Sequence, residues 1–236
     1  MKKIILLTAL FFNVLLLSAQ TLNGTYKSGT DSLSFSDNRV IFRISGFGAL
    51  STAQVGEGKY EIINNYMIVN TDEYSGMKSK FQELPGSKTD TCVVKVVSLN
   101  NYPIQGILIE SKNKSGKTIS AGVTSADGKV LFIDNEKYVK IAASAMGYNS
   151  IDLDYKKGVD YFIRLADNEV IENKTVVFKF EELDEETISI ILLTDNFKSD
   201  KNLHEELNKL EKKARKNNRL EIRYKKVFEP IDTFFK

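Results

Sequence analysis

Pro103-Ile104-Gln105-Gly106-Ile107-Leu108-Ile109, then Ala121-Gly122-Val123-Thr124-Ser125-Ala126-Asp127-Gly128-Lys129-Val130, then Ala145-Met146-Gly147-Tyr148 are the runs whose reading decides the fold. Ile107 and Ile109 alternate with Leu108 and Glu110, the period of two that marks a half-buried strand. Pro103 lacks an amide donor and suits the start of a strand or a sheet edge. Asp127-Gly128 predicts a tight turn, because Gly tolerates positive φ and Asp bonds its own backbone. Val123 on one side and Val130 and Phe132 on the other make that turn a hairpin. Val139, Ile141 and Ala143 predict the inward face of the next strand, which Gly147 ends. Ile151, Leu153 and Tyr155, then Tyr161, Ile163 and Leu165, repeat the alternation. Short strands at this spacing predict an antiparallel sandwich or barrel.

Four motifs stand in order: the strand Thr91 to Leu99, Pro103-Ile104-Gln105-Gly106, Gly122 through Asp127-Gly128, and Gly147-Tyr148. Together they resemble the carboxypeptidase regulatory-like domain, a transthyretin-like (prealbumin-like) β-sandwich, over about a third of the chain. The resemblance implies a fold and a spacer or interaction role, and it brings no catalytic residues with it. It makes Pro103, Gly106, Gly122, Asp127, Gly128 and Gly147 structural positions. Gly147 is expected where only a residue without Cβ fits.

Outward from this stretch, residues 1–20 read as a signal peptide. Lys2 and Lys3 precede an apolar run from Ile4 to Leu17, and Ser18-Ala19-Gln20 offers a cleavage point. The run is shorter than the ~20 residues that a spanning helix needs. Gln20 stands where a lipoprotein would carry Cys, so no stable membrane anchor is expected after cleavage. The Ser-Ala-Gln ending resembles signal peptides of Bacteroidetes-type bacteria and implies periplasm, cell surface or medium. Loss of Lys2 and Lys3 leaves 31 basic against 31 acidic residues. A neutral chain gives no general case for nucleic acid or an anionic membrane.

Residues 21–86 predict a β-rich N-terminal module, a meander or half-barrel loosely similar to part of a small lipocalin-like barrel. Its turns fall at Asp37-Asn38 and Asn64-Asn65, and Gly46 to Gly58 reads as its longest loop. Residues 85–91 read as a linker, with the sandwich at 91–166. Residues 167–236 predict a C-terminal appendage of β-hairpin, helix and strand. Val176, Phe178 and Phe180 form one strand face, and Ile188, Ile190 and Leu192 another, joined by the acidic run Glu181 to Glu186. Ser199 or Asp200 is placed to cap a helix that Asn217-Asn218 ends in a left-handed cap. Leu203, Leu207, Leu210 and Ala214 make its apolar stripe, which fits a helix covering a sheet. Leu220, Ile222 and Tyr224 then alternate as a strand. The expected fold is mainly β.

Chemistry is tested by subtraction. The chain has one cysteine and one histidine. Cys92 falls on a strand face with Val94 and Val96 and reads as a small buried hydrophobe. His204 lies on the charged helix, which leaves no His-based zinc site. No nucleophile elbow, phosphate loop or dinucleotide fingerprint is present, so no catalytic residue, cofactor or metal is expected. The leading expectation is an exported, non-catalytic interaction or scaffold protein whose partner is another envelope or secreted protein. A carbohydrate-binding module of the cell envelope is the alternative, and a hydrolase built on paired carboxylates the third reading. With no tryptophan, a glycan platform would fall to Tyr102 and Tyr148, tyrosines next to Pro103 and Gly147 and off the alternating core positions.

Overall fold

Strands from both ends of the chain close a single barrel around a continuous apolar interior. The computed structural model describes residues 22–45, 52–88, 90–198, 202–217 and 221–228. The predicted signal peptide and the helix-capping residues Ser199 and Asp200 lie outside them.

The first five strands are β1 (Gly24–Ser28), β2 (Asp31–Ser36), β3 (Arg39–Ser45), β4 (Ala53–Ile63) and β5 (Tyr66–Thr71). Tight turns join β1 to β2, β2 to β3 and β4 to β5. Asp37 and Asn38 take φ of 47° and 61°, and Asn64 takes 56°, the left-handed conformation that Asn and Asp tolerate. The second half of the expected Gly46 to Gly58 loop is strand, since β4 begins at Ala53, and residues 46–51 lie outside the described residues. Gly56 and Gly58 lie within β4, paired to Phe42 and Val40. A Cβ on Gly56 would meet the Phe42 ring at 2.5 Å, and one on Gly58 would meet the Asn70 carbonyl at 2.0 Å. Close approach, not flexibility, explains these two glycines.

The chain then leaves the barrel and builds the sandwich from β6 (Lys80–Pro85), β7 (Thr91–Ser98), β8 (Leu108–Lys112), β9 (Thr118–Val123), β10 (Lys129–Ile133), β11 (Lys140–Ser144), β12 (Ile151–Asp154) and β13 (Val159–Leu165). One sheet runs β10-β7-β13-β6 and the other β12-β11-β8-β9. Cys92, Val94, Val96, Ile107, Ile109, Phe132, Ile141, Leu153, Tyr161, Ile163 and Leu165 fill the space between them. The alternation read from the sequence places all of these correctly. Val139 is one exception: it is exposed and precedes β11. The hairpin expected across Asp127-Gly128 is another: the turn forms, but β9 pairs with β8 and β10 with β7, so it links the two sheets. Because β6 pairs with β13, the expected linker 85–91 falls within the sandwich, between β6 and β7, and the chain crosses between the two bodies at 72–79 and 166–174.

The return passes through the two-residue β14 (Glu169–Val170), parallel to Gln54 and Val55 of β4. It continues into β15 (Thr175–Asp184), β16 (Thr187–Thr194), the helix α1 (Leu203–Lys216) and β17 (Ile222–Val227). β15 pairs with β5, and β17 pairs with β1. The order β4-β3-β2-β1-β17-β16-β15-β5, with β5 back on β4, is an eight-stranded antiparallel barrel. The predicted C-terminal appendage therefore completes the predicted N-terminal half-barrel. Leu33, Phe35, Phe42, Met67, Phe178, Ile188 and Tyr224 fill the interior, as eight strands allow. Ile171, on the return segment, is buried in the same core.

α1 lies on the outside of the barrel. Leu207 and Ala214 pack with Tyr66, Ile68, Val177, Ile191 and Leu193, and Leu203 and Leu210 flank them. Its N-cap is Asn202, without a side-chain cap bond, and Asn217 at its end has φ of −88°, not a left-handed cap. Among the described residues no helix is long and apolar enough to cross a membrane.

Candidate functional site

The sheet β10-β7-β13-β6 is mixed and not wholly antiparallel as expected, because β13 runs parallel to β7; a sheet with one face on the core ordinarily turns polar side chains to water on the other. The outer face of β10-β7-β13-β6 does not. Strand register puts Leu131 opposite Val93 and Ile133 opposite Thr91. It puts Leu84 beside Asp160, and Phe162 between Lys95 and Gln82. Leu131 is 49% exposed and Ile133 73%. Leu84, Val93, Leu131 and Phe162 floor a shallow cleft of about 610 Å³, also lined by Ser87, Lys88, Lys95, Asp127, Lys129 and Asp160.

Cations fringe the apolar floor. The Lys95 ammonium stands 5.9 Å from the Phe162 ring centre and the Arg164 guanidinium 4.7 Å from it, both within cation–π range. Arg164 donates to Asn101 and Gln82 rather than to a carboxylate. Lys80 lies across from Arg164 on the same face. Two carboxylates share the surface, and each is already engaged. Asp160 is buried and accepts hydrogen bonds from the Val93 amide (2.8 Å) and the Ser87 amide (2.9 Å). Burial pushes its pKa up, but the two amides outweigh this and hold it below the usual range. Asp127 accepts from the Ser125 hydroxyl and pairs with Lys129 at 3.1 Å, which brings it down to about 2. Five cations against two occupied carboxylates leave the fringe positive.

The residues singled out from sequence fall elsewhere. Tyr102 is 72% exposed, next to Pro103, which bridges to Val97 at the sheet margin. Tyr148 is half-buried against the sandwich core, not exposed as expected, because Gly147 turns the chain back and the Asn149 amide donates to the Ala166 carbonyl. It lines a separate cleft of about 530 Å³ with Thr52 and Glu169, where the sandwich meets the barrel. Among the described residues the two rings make no contact with each other. Gly106, Gly128 and Gly147 take positive φ. Gly122 does not; a Cβ there would meet Val130 at 2.5 Å. Cys92 is buried, and burial, then Asp160 and Asp134, push its thiol up to about 12. Among the described residues no three His, Cys, Asp or Glu side chains are grouped to hold a metal. The described carboxylates with displaced pKa values all lie low.

Sequence reasoning missed the outer face, although a signal was present. In Val130-Leu131-Phe132-Ile133 both alternating sets are apolar, so one of them has to face water or a partner. Fold and surface together define a β-barrel carrying an inserted β-sandwich with an apolar, cation-fringed outer sheet. No protein-family model, curated protein or solved structure matches the chain.

Proposed function

We propose that the protein is an exported, non-catalytic interaction protein whose inserted sandwich, of carboxypeptidase regulatory-like type, contacts another protein through the outer face of β10-β7-β13-β6. The observation that carries this reading is the apolar floor of exposed Leu84 and Leu131 with half-buried Val93 and Phe162, next to exposed Ile133 on the same strand as Leu131, on a surface that solvent alone would make polar. The cationic fringe selects an acidic partner segment bearing an aliphatic side chain. The Lys2-Lys3, apolar, Ser-Ala-Gln order supports export. A glycan platform finds less support, since Tyr102 and Tyr148 do not stack side by side.

Site-specific photo-crosslinking in the native cell tests this. A photoreactive phenylalanine analogue at Leu131 is expected to yield a protein adduct, while the same group at Glu110, on the other sheet, yields none. Absence of an adduct at Leu131, or equal adducts at both positions, overturns the reading.

A further inference from the structure

The acidic tip of the barrel is the second unexplained surface. β15 and β16 end in the pairing Asp184 with Thr187 around the turn Glu185-Glu186. Every residue from Glu181 to Glu186 is exposed. Five of the six are carboxylates, and the stretch holds no cation. The sixth is Leu183, a large aliphatic side chain 39% exposed. Asp184 accepts from the Glu186 amide, and the Glu186 carbonyl accepts from the Lys226 amide of β17. Lys225 and Lys226 therefore flank the turn on its β16 side, and the β15 edge from Glu181 to Leu183 is left with carboxylates around one leucine. Among the described residues, none from 181 to 186 makes a hydrogen bond or ion pair with the sandwich. Five like charges on one tip repel one another unless a positive surface covers them.

We infer that a second copy of this chain is the partner: the Glu181–Glu186 ribbon of one copy docks on the cation-fringed β10-β7-β13-β6 face of another. This rests on the reading of that face as a protein-contact surface. Complementarity is the argument. Lys80, Lys88, Lys95, Lys129 and Arg164 surround an aliphatic floor, and the ribbon presents carboxylates around one leucine. Leu183 enters between Leu84, Val93 and Leu131, and the flanking carboxylates meet Lys88 and Lys95, which form no ion pair among the described residues. Ribbon and face are different surfaces of one chain, so the contact is heterologous. It closes as a pair if each copy gives its ribbon to the other and extends into a chain if not.

Charge reversal with rescue tests it. Sedimentation of the intact protein at low salt is expected to show reversible self-association that weakens about tenfold or more in 0.3 M salt, as a screened contact should. E181K/E182K/E185K and K88E/K95E, all at exposed or half-exposed positions, are expected to melt like the wild type and each to lose the association. An equimolar mixture of the two variants is expected to regain it, because both ribbon–face combinations are complementary again. A wild type that stays monomeric, variants that associate unchanged, or a mixture without rescue overturns the inference. If in addition the photo-crosslinker at Leu131 captures a different protein, the interaction reading of the face stands and only self-recognition falls. If it captures nothing, both fall.

Discussion

At Gly147 the backbone, not the neighbourhood, fixes the residue. Its φ is +94°, and a Cβ there would find only the Thr52 hydroxyl, at 3.8 Å. The constraint on this position is one of torsion and not of space. Gly147→Val is expected to lower stability by about 1–3 kcal/mol, and Gly147→Asn by clearly less, since Asn accepts positive φ more readily. Thermal melts of the two variants check this; equal losses would show that volume matters after all. Gly58 is the opposite case. Its φ is unremarkable, and the Asn70 carbonyl 2.0 Å from a built Cβ makes Gly58→Ala a backbone displacement. Asp160 is a third kind of constraint. Asp160→Ala strands the Val93 and Ser87 amides and is expected to cost about 2 kcal/mol. Because its folded pKa is lowered, its contribution is present above the ordinary aspartate range and is lost as pH falls through the folded value. A denaturant series between pH 7 and pH 3 should therefore show a shallower decline for Asp160→Ala than for the wild type.

Among the elements, α1 was the most readily read. Leu203, Leu207, Leu210 and Ala214 recur at helical spacing, and these side chains meet the barrel. The polar anchor beneath was not legible, because it joins residues far apart in sequence. Glu211 accepts from the Tyr66 hydroxyl at 2.7 Å, pairs with Lys179 at 3.0 Å and with Arg215 at 2.8 Å. Burial pushes the Glu211 carboxyl up, but Tyr66, Arg215 and Lys179 outweigh it and bring it down to about 2. Tyr66 is in turn pushed up to about 12 by burial and by Glu211. The sign follows: Glu211 stabilises the fold above about pH 4.5, and that contribution fades as pH falls toward 2. Glu211→Gln is expected to cost about 2–3 kcal/mol near neutrality, leaving the half-buried Lys179 ammonium without its counter-charge, and to flatten the acid limb between pH 5 and pH 2. Urea unfolding at four or five pH values measures it; parallel curves would mean that α1 is held by its apolar stripe alone. The same contrast holds across the sheets. Alternation marks which side chains of β7 and β13 face inward, because period two is local. Which strands become neighbours is set by pairings such as Thr25 with Val227, separated by nearly the whole chain, and nothing local encodes them.

At the scale of the whole molecule, the sequence reads as three consecutive pieces, while the structure is one body inserted into another. A half-barrel with two open edges is a hazard that must be covered. β15 closes one side on β5 and β17 closes the other on β1, so the first and last thirds of the chain need each other. The sandwich has its own two sheets and its own core, and its ends meet: the Ala166 amide donates to the Ser79 hydroxyl at 3.0 Å. The barrel's side of the junction is equally self-contained. Lys78 pairs with Glu172 at 2.9 Å, the Tyr74 amide donates to Glu172 at 2.6 Å, and the Asn168 side chain donates to the Met77 carbonyl. Few polar contacts therefore cross a cut at 79 and 166. The expected outcome is that residues 79–166 fold alone, and that replacing them by a short Gly/Ser linker leaves a barrel that still closes. Both pieces should melt cooperatively, the barrel retaining α1 and with it the acid-sensitive Glu211 transition. A truncation ending at Ile171, which removes β15, β16 and β17 but keeps the sandwich, should by contrast lose the barrel's melting transition and keep the sandwich's. Calorimetry on the three chains decides the matter: a 79–166 piece without a cooperative transition, or a barrel that unfolds when the sandwich is excised, would mean that the two cores are one folding unit despite their separate packing.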